Sequence, residues 1–300
     1  MIHCLVDVAK KKGADDRVKQ YWNSWHCANK VRTAKGRIYT HYCKNRCCTV
    51  CCAIRKAEMI NKYLETISTW SEPQLVTLTL KSVPAKKLRP VMQNMLKCLR
   101  LIINKQKKRD QRGTGKKLVG VRSLESNFNP QTKKYNPHFH LIVAEKWMAK
   151  TLVSEWLQRA KNDYSINKVW VSKRAQHIRP VGSTEHDMIE IVKYGSKIFT
   201  EHDLKKKGNW KLPPMIYAAA LDEIFAAMKG LRIFERFGFS SPPQARQAIP
   251  ATYIEDYQDW HYDLAIADWV NYDTGELLTG YTRDPKLANI LGNNINTELR

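Results

Sequence analysis

The 300-residue sequence predicts an α+β protein, an antiparallel sheet of split-βαβ type covered by helices, with a cysteine-rich segment ahead of it. Three observations predict it. Runs rich in β-branched residues alternate with runs of helical period in the order β-α-β-β-α-β-α. Two of the strand-like runs are separated only by a polar turn segment and read as an antiparallel hairpin. Five of the eight cysteines fall within residues 43–52.

Each element has its own signal. Residues 1–40 are basic and aromatic, with Trp22, Trp25 and Tyr39 among lysines and arginines. The cysteine cluster is followed by AIRKAEMINKYLETIS, a helix. QLVTLTLK (74–81) is a strand. A basic helix follows Pro84 and runs to about residue 109. Its apolar positions Leu88, Val91, Met92, Met95, Leu96, Leu99 and Ile102 stand at helical spacing, and Cys98 on that face reads as core. KLVGVRSLESN (117–127) and HFHLIVA (138–144) form the hairpin, with NFNPQTKKYNP as its turn segment. WMAKTLVSEWLQRAKN is an amphipathic helix. KVWVSK and HIRPVG are short strands. TEHDMIEIVKYGSKIF is a helix with Thr184 as N-cap. PPMIYAAALDEIFAAMKG opens on prolines and ends at Gly230. SSPPQARQAIP is a linker, and AIADWVNYDTGELLTGY a hairpin turning at Asp273-Thr274-Gly275. Three regions are expected: a basic, cysteine-rich, zinc-binding region 1–70, a central domain 71–235, and an acidic C-terminal extension 236–300.

Composition narrows the function. Hydrophobic residues make up 43% of the chain, enough for a packed core. The formal charge is +23, far beyond what solubility needs, and implies a polyanionic partner. Residues 251–300 carry nine acids against three bases, a net of −6, which leaves +29 for the first 250. The basic runs Lys10–Lys12, Lys105–Arg112 and Lys205–Lys207 read singly as solvated faces, but with a total this positive some must meet phosphate. No apolar run approaches the ~20 residues that span a bilayer, and the first residues lack the order of a secretory signal. A cytoplasmic protein without membrane contact is expected, and in that setting clustered cysteines argue for metal rather than disulfides.

The chemistry begins at YNPHFHLIVAEKW (135–147). His138 and His140, two apart on a strand, point the same way while Phe139 points into the opposite layer. Either the imidazoles sit on a half-exposed polar face, or they hold something between them. Glu125, in the preceding strand, lies across the hairpin and can supply a third ligand. Two imidazoles and one carboxylate leave positions open on an ion and suit Mg²⁺, Mn²⁺ or Zn²⁺. In the helix 184–199, Met188, Ile191, Val192, Gly195 and Phe199 share one face. Glu190, Tyr194 and Lys197 stand at i, i+4 and i+7 on the other. That trio is either a solvated surface or a nucleophile site, in which Lys197 eases ionisation of the phenol and Glu190 serves as a base.

Taken together, these segments resemble the HUH endonucleases, and more narrowly the replication initiators of rolling-circle plasmids and related small single-stranded DNA replicons. LVTLTL resembles the first motif strand. GVRSLESNFNPQTKKYNPHFHLIV resembles the acid-then-His-x-His hairpin, and EIVKYGSK the nucleophile helix, including a glutamate four residues before the tyrosine. CKNRCCTVC resembles the Cys-x-x-Arg-x-Cys-Pro-x-Cys element of one branch, with Thr49 in place of the proline. The resemblance covers roughly residues 20–235 and rests on the order and spacing of four elements.

The resemblance implies an RRM-like HUH nuclease sheet and a metal-dependent, site-specific DNA endonuclease. Tyr194 would attack the scissile phosphate of single-stranded origin DNA, become joined to the 5′-phosphate and release a 3′-OH that primes a host polymerase. Glu125, His138 and His140 would hold Mg²⁺ or Mn²⁺, Lys197 would assist, and Glu190 would activate water to end the cycle. Cys43, Cys48 and Cys51 match the cysteine element, with Cys27 as fourth ligand to a structural Zn²⁺ and Cys47, Cys52, His26 and His41 as alternatives. DNA and host helicase and polymerase are the implied partners. A relaxase or single-strand transposase shares the core. A non-catalytic, zinc-stabilised nucleic-acid-binding protein is the non-enzymatic alternative.

Overall fold

The computed structural model describes residues 1–27, 29–34, 37–39, 42–162, 171–182, 184, 187, 214–240, 257–263, 266 and 268–280. The chain divides into a larger unit, Met1–Trp22 with Lys44–Ala245, and a smaller one, Asn23–Cys43 with Arg246–Arg300. The protein is α+β, with antiparallel sheets and helices in both sequence and space.

In chain order the helices are α1 (Ile2–Lys11), α2 (Asp15–Trp25), α3 (Thr49–Ser68), α4 (Ala85–Gln111), α5 (Lys146–Asn162) and α6 (Pro214–Met228). The strands are β1 (Lys30–Ala34), β2 (Arg37–Tyr39), β3 (Gln74–Thr79), β4 (Gly120–Asn129), β5 (Lys134–Val143), β6 (His177–Pro180), β7 (Phe234–Phe237), β8 (Gln258–Asp263) and β9 (Asp268–Asn271).

The larger unit is built on a five-stranded antiparallel sheet in the order β6-β3-β5-β4-β7. Strand alternation gives it two different faces. Val76, Leu78, Leu124, Phe139, Leu141 and Val143 point to one face, where α4 adds Leu88, Val91, Met92, Met95, Cys98, Leu99 and Ile102, and α5 adds Leu152 and Trp156. The α4 stripe is the one its sequence spacing predicts, with Leu96 partly buried at its edge. On the other face, Tyr63 and Ile67 of α3 cover only one end, over Leu75, Val121 and Ile142. Gly238, just past β7, is the residue its site demands. Its φ is +80°, and a Cβ there would stand 2.0 Å from the Leu118 carbonyl oxygen.

Helix α6 is apolar on two sides. Ala220, Ile224, Ala227 and Met228 join the main core, while Ala218 and Leu221 meet Leu5, Val6, Val8 and Ala9 of α1. Between these surfaces lies Asp222, fully buried. It accepts from Lys12 Nζ at 2.8 Å, Arg17 Nε at 2.8 Å and Tyr21 Oη at 2.7 Å. Three donors satisfy a carboxylate that would be costly to bury alone.

The smaller unit holds a four-stranded antiparallel sheet, β2-β1-β8-β9. Val31 pairs with Trp260, whose Nε1 donates to Thr33 Oγ1 at 2.8 Å. Asn271 Oδ1 accepts from the N–H groups of Asp273 and Thr274, and Gly275 has φ +73°, which closes the turn expected at those residues.

Two local readings change, and residues 1–40, read from the sequence by composition alone, gain elements. NFNPQTKKYNP is mostly strand: β4 runs to Asn129 and β5 starts at Lys134, leaving a four-residue connection. Lys173–Ala175 form a 3₁₀ turn rather than the end of a strand. Residues 1–40 contain two helices and two strands. Of the helix expected over 184–199, Thr184 and Asp187 are helical; its remainder and Lys205–Lys207 lie outside the described residues.

Burial and Asp222 push the Tyr21 pKa well above the usual phenol value. Burial works against the charge of Lys12, but its bonds to Asp222 and Glu223 outweigh that and raise its pKa. Burial also pushes Tyr135 up to about 12. In each case the protonated form is the one the fold favours. Its contribution is whole below the unfolded pKa, near 10 for Tyr and 10.4 for Lys, and is lost as pH rises through the folded value. Stability should therefore fall steeply above about pH 10. Denaturant midpoints between pH 8.5 and 11.5 should show that fall, and Tyr21→Phe should make it shallower; an unchanged slope would refute the assignment.

Candidate metal centre

The register of three central strands builds the site. Glu125 pairs with His138 and Ser123 with His140 across β4–β5; Thr79 pairs with His138 and Thr77 with His140 across β3–β5. Directly paired residues share a face, so Thr77, Thr79, Ser123, Glu125, His138 and His140 stand together. They occupy the end of the sheet that α3 leaves uncovered. Their sequence neighbours Leu78, Leu124 and Phe139 are 0% exposed in the opposite core, and this is what fixes the outward set.

A Glu125 oxygen lies 3.6 Å from His138 Nε2, and the other lies 3.7 Å from His140 Nε2. The imidazole rings are 4.9 Å apart and nearly perpendicular, at 85°. One ligand atom from each of the three lies within 4.8 Å of the others. Ligand atoms about 2.1 Å from one ion stand about 3.0–3.4 Å apart, so the three side chains would draw together to close around a cation. The donor chemistry fits a divalent ion with open positions. Glu125 and His138 are buried, whereas the His140 side chain is 25% exposed, so the centre opens on the His140 side.

Both rings are oriented from behind. His138 Nδ1 donates to the Asn136 carbonyl at 2.9 Å, a tautomer that leaves Nε2 as the acceptor. His140 Nδ1 is bonded to Thr77 Oγ1 at 3.1 Å. Asn136 is itself fixed: its Nδ2 donates to the Leu80 carbonyl at 2.9 Å, and its Oδ1 accepts from Thr79 Oγ1 at 3.1 Å. Gln176 grips the backbone of Thr79 with both ends of its amide, accepting from the N–H at 2.9 Å and donating to the carbonyl at 3.2 Å. None of Thr77, Asn136 and Gln176 is singled out by sequence reasoning. Thr77 alone carries a signal, as a polar residue alternating with Val76 and Leu78 in LVTLTL.

On β6, Arg179 pairs with Leu75 and His177 with Thr77, so both share the face of the three ligands. Arg179 holds the buried Asp187 through two hydrogen bonds, and the N–H of Gly182 donates to the same carboxylate at 3.1 Å. Glu190, Tyr194 and Lys197 lie outside the described residues.

All eight cysteines are free of disulfides. The four cysteines expected as zinc ligands divide between the units, Cys27 and Cys43 in the smaller and Cys48 and Cys51 in the larger. In the smaller unit, Cys27 Sγ accepts the N–H of Cys43 at 3.4 Å. In the larger, Cys48 is the N-cap of α3 and accepts from the Cys51 N–H at 3.5 Å, while Cys51 Sγ accepts from the Lys44 N–H at 3.2 Å. The alternatives are otherwise engaged: Cys47 packs with Leu5 and Tyr21, and Cys52 Sγ donates to the Arg46 carbonyl at 3.1 Å. His26 is outside this set, and His41 lies outside the described residues.

The profile of the replication protein family (Rep_1) matches residues 36–239, a span that takes in the cysteine element and the Glu-His-His set. The chain belongs to the replication protein family. This replication protein is 28% identical over 177 residues to a "Protein rep" of Staphylococcus aureus, a match covering 54% of the chain and 73% of that protein. It is 26% identical over 149 residues to a "Protein rep" of a Bacillus species, covering 44% and 46% of the two. A "Protein rep" of Streptococcus pneumoniae is 24% identical over 142 residues, covering 45% and 40%. The chain thus spans less than half the length of the last two. No solved structure matches it. Among the described residues no helix is long and apolar enough to cross a membrane.

If Thr77 orients His140 of this replication protein for a metal, Thr77→Val should weaken Mn²⁺ binding about tenfold. The change keeps the β-branched shape, so the thermal midpoint without metal should hold. Calorimetric titration with Mn²⁺ checks this, and equal affinity for both proteins would remove Thr77 from the centre.

Proposed function

We propose that this replication protein initiates rolling-circle replication by nicking one strand of its origin through a tyrosine. The observation that carries the reading is the Glu125–His138–His140 set, held on one sheet face with each imidazole presenting Nε2 to the same carboxylate. A sheet of this kind serves as an RRM-like HUH platform.

The chain's own residues divide the task. Thr77 and the Asn136 carbonyl fix the rings. The exposed side of His140 is the way in for the DNA backbone. Asp187, seven residues ahead of Tyr194, is held by Arg179 on the face that carries the three ligands, which supports the segment 184–199 as the nucleophile element. Tyr194 Oη gives up its proton and attacks phosphorus; the bond from phosphorus to the 3′ oxygen breaks and that oxygen takes up a proton, so the upstream strand ends in a free 3′-OH while the 5′-phosphate of the downstream strand stays on the tyrosine. Lys197 stabilises the phenolate, and Glu190 takes a proton from the water that later frees the enzyme. A divalent ion, Mg²⁺ or Mn²⁺, held by Glu125, His138 and His140 supplies Lewis-acid polarisation of the phosphate. Single-stranded origin DNA is the substrate; a host helicase and polymerase use the exposed 3′ end.

The cysteines have a separate role. Cys27, Cys43, Cys48 and Cys51 hold Zn²⁺ as four thiolates, and the ion adds folding free energy rather than chemistry.

Two experiments test these statements. Incubated with Mn²⁺ and single-stranded DNA from its own replicon, the protein should form an adduct that survives denaturing electrophoresis. Tyr194→Phe should abolish the adduct and His138→Ala should reduce it at least about a hundredfold, the effect of losing a metal ligand. DNA retention without any cleavage would leave a binding protein in place of the enzyme. Separately, the purified chain should carry about one zinc; stripping it with a chelator, or Cys48→Ser, should lower the thermal midpoint. A metal-free preparation of undiminished stability would sink the zinc assignment.

A further inference from the structure

Of the basic runs in the sequence, the one at the end of α4 stands clear of its own core. The last buried residue of the helix is Gln106. From Lys107 to Lys117 all eleven residues are exposed. They carry Lys107, Lys108, Arg109, Arg112, Lys116 and Lys117 against Asp110, a net of +5. The helix therefore continues for more than a turn past its own core and ends as a charged arm.

The arm is ordered rather than frayed. Gly113, at φ +69°, closes the helix: its N–H donates to the Asp110 carbonyl at 3.0 Å, and the Thr114 N–H reaches the Arg109 carbonyl at 3.0 Å. Arg109 Nη2 ties the turn by donating to the Thr114 carbonyl. Yet among the described residues none of the six cations makes an ion pair, and Lys108 and Arg112 repel at i, i+4. Lys105, one residue before the last buried position of the helix, is by contrast paired with Glu155 at 2.5 Å. At the root of the arm, Lys107 and Lys117 flank a cavity of about 320 Å³ bounded also by Phe239 and Ser240.

We propose that the arm Lys107–Lys117 is a docking surface for the phosphate backbone of duplex DNA, away from the cleavage centre. This rests on the nicking reading for the identity of the polyanion. Charge complementarity selects the partner. A rigid row of unpaired cations that buries nothing in its own fold suits a regular line of phosphates, and the two lysines at the cavity can receive one of them.

The test compares a variant with Lys107, Lys108, Arg112 and Lys116 changed to Gln with a charge-matched control changed to Gln at Lys10, Lys11, Lys19 and Lys150. Glutamine keeps helix propensity, Arg109 is spared to hold the turn, and equal thermal midpoints verify folding. Duplex origin affinity, measured against salt, should fall at least tenfold in the arm variant. Its salt dependence should flatten by about 0.9 log units per decade for each phosphate that is no longer neutralised. The control should change little, and cleavage of a short single-stranded oligonucleotide should be the same in all three proteins. Undiminished duplex affinity in the arm variant, or an equal fall in both variants, overturns the proposal. Arm-dependent duplex binding by a protein that cuts no oligonucleotide would uphold the arm and overturn the nicking reading.

Discussion

The hydrogen-bond register between β4 and β5 is the constraint on which the rest depends. Because side chains alternate, a slip of one residue would turn Glu125, His138 and His140 into the core and bring Leu124, Phe139 and Leu141 to the surface. Burying each such apolar side chain is worth about 1.5–3 kcal/mol, so the core holds the ligands outward far more firmly than they could hold themselves. The connection agrees with it. Asn129 Oδ1 accepts from the N–H groups of Gln131 and Thr132, and Lys133 takes the left-handed conformation at φ 51°. A tight turn and an alternating pattern thus specify one pairing, and the geometry of the centre follows from packing on the opposite side of the sheet.

The two faces of that sheet are treated unequally, and the inequality makes a site. One is sealed by α4, α5 and α6 over a continuous core. The other is covered by α3 at the end marked by Leu75, Val121 and Ile142. Where those apolar residues give way along the same strands to Thr77, Ser123, Glu125 and His140, the cover from α3 ends. The change from aliphatic to polar along one face is what leaves His140 accessible beside the buried Glu125 and His138. The buried acid Asp222 plays a comparable part at a distance, since it ties α1 and α2 to α6 and so lets α6 serve two apolar surfaces.

Much of this was legible in the sequence, for local reasons. His138 and His140 were readable because period-two alternation needs only three consecutive residues. Glu125 followed from a hairpin whose halves are near neighbours in the chain. The α4 stripe was readable from the helical spacing of its apolar residues, and the cysteine element from its density. What stayed hidden was non-local. β1 pairs with β8 across more than two hundred residues, and nothing in KVRTA announces QDWHYD as its partner. Gln176 acts through the backbone of Thr79, ninety-seven residues earlier, by an amide that any surface glutamine possesses. The four-residue turn was obscured by Pro130 and Pro137, which made strand residues on either side read as loop.

The charge of the molecule and its metal ligands answer different physical needs. A field from many lysines and arginines attracts a polyanion, but in physiological salt it is screened over about 8–10 Å and does not distinguish one phosphate from the next. Selecting one phosphate for in-line attack requires control at the scale of a bond. On the proposed reading, Glu125 on one strand and His138 and His140 on the next would give that control, because strand pairing and the two-residue repeat fix where they stand. Histidine suits the position for a related reason. As neutral ligands beside one carboxylate, two imidazoles leave a bound divalent ion with net positive charge to direct at a phosphate oxygen; more carboxylates would have neutralised it. A chain so basic overall therefore has reason to keep its centre lightly charged and rigid, and to place its unpaired cations elsewhere, as on the arm at the far end of α4.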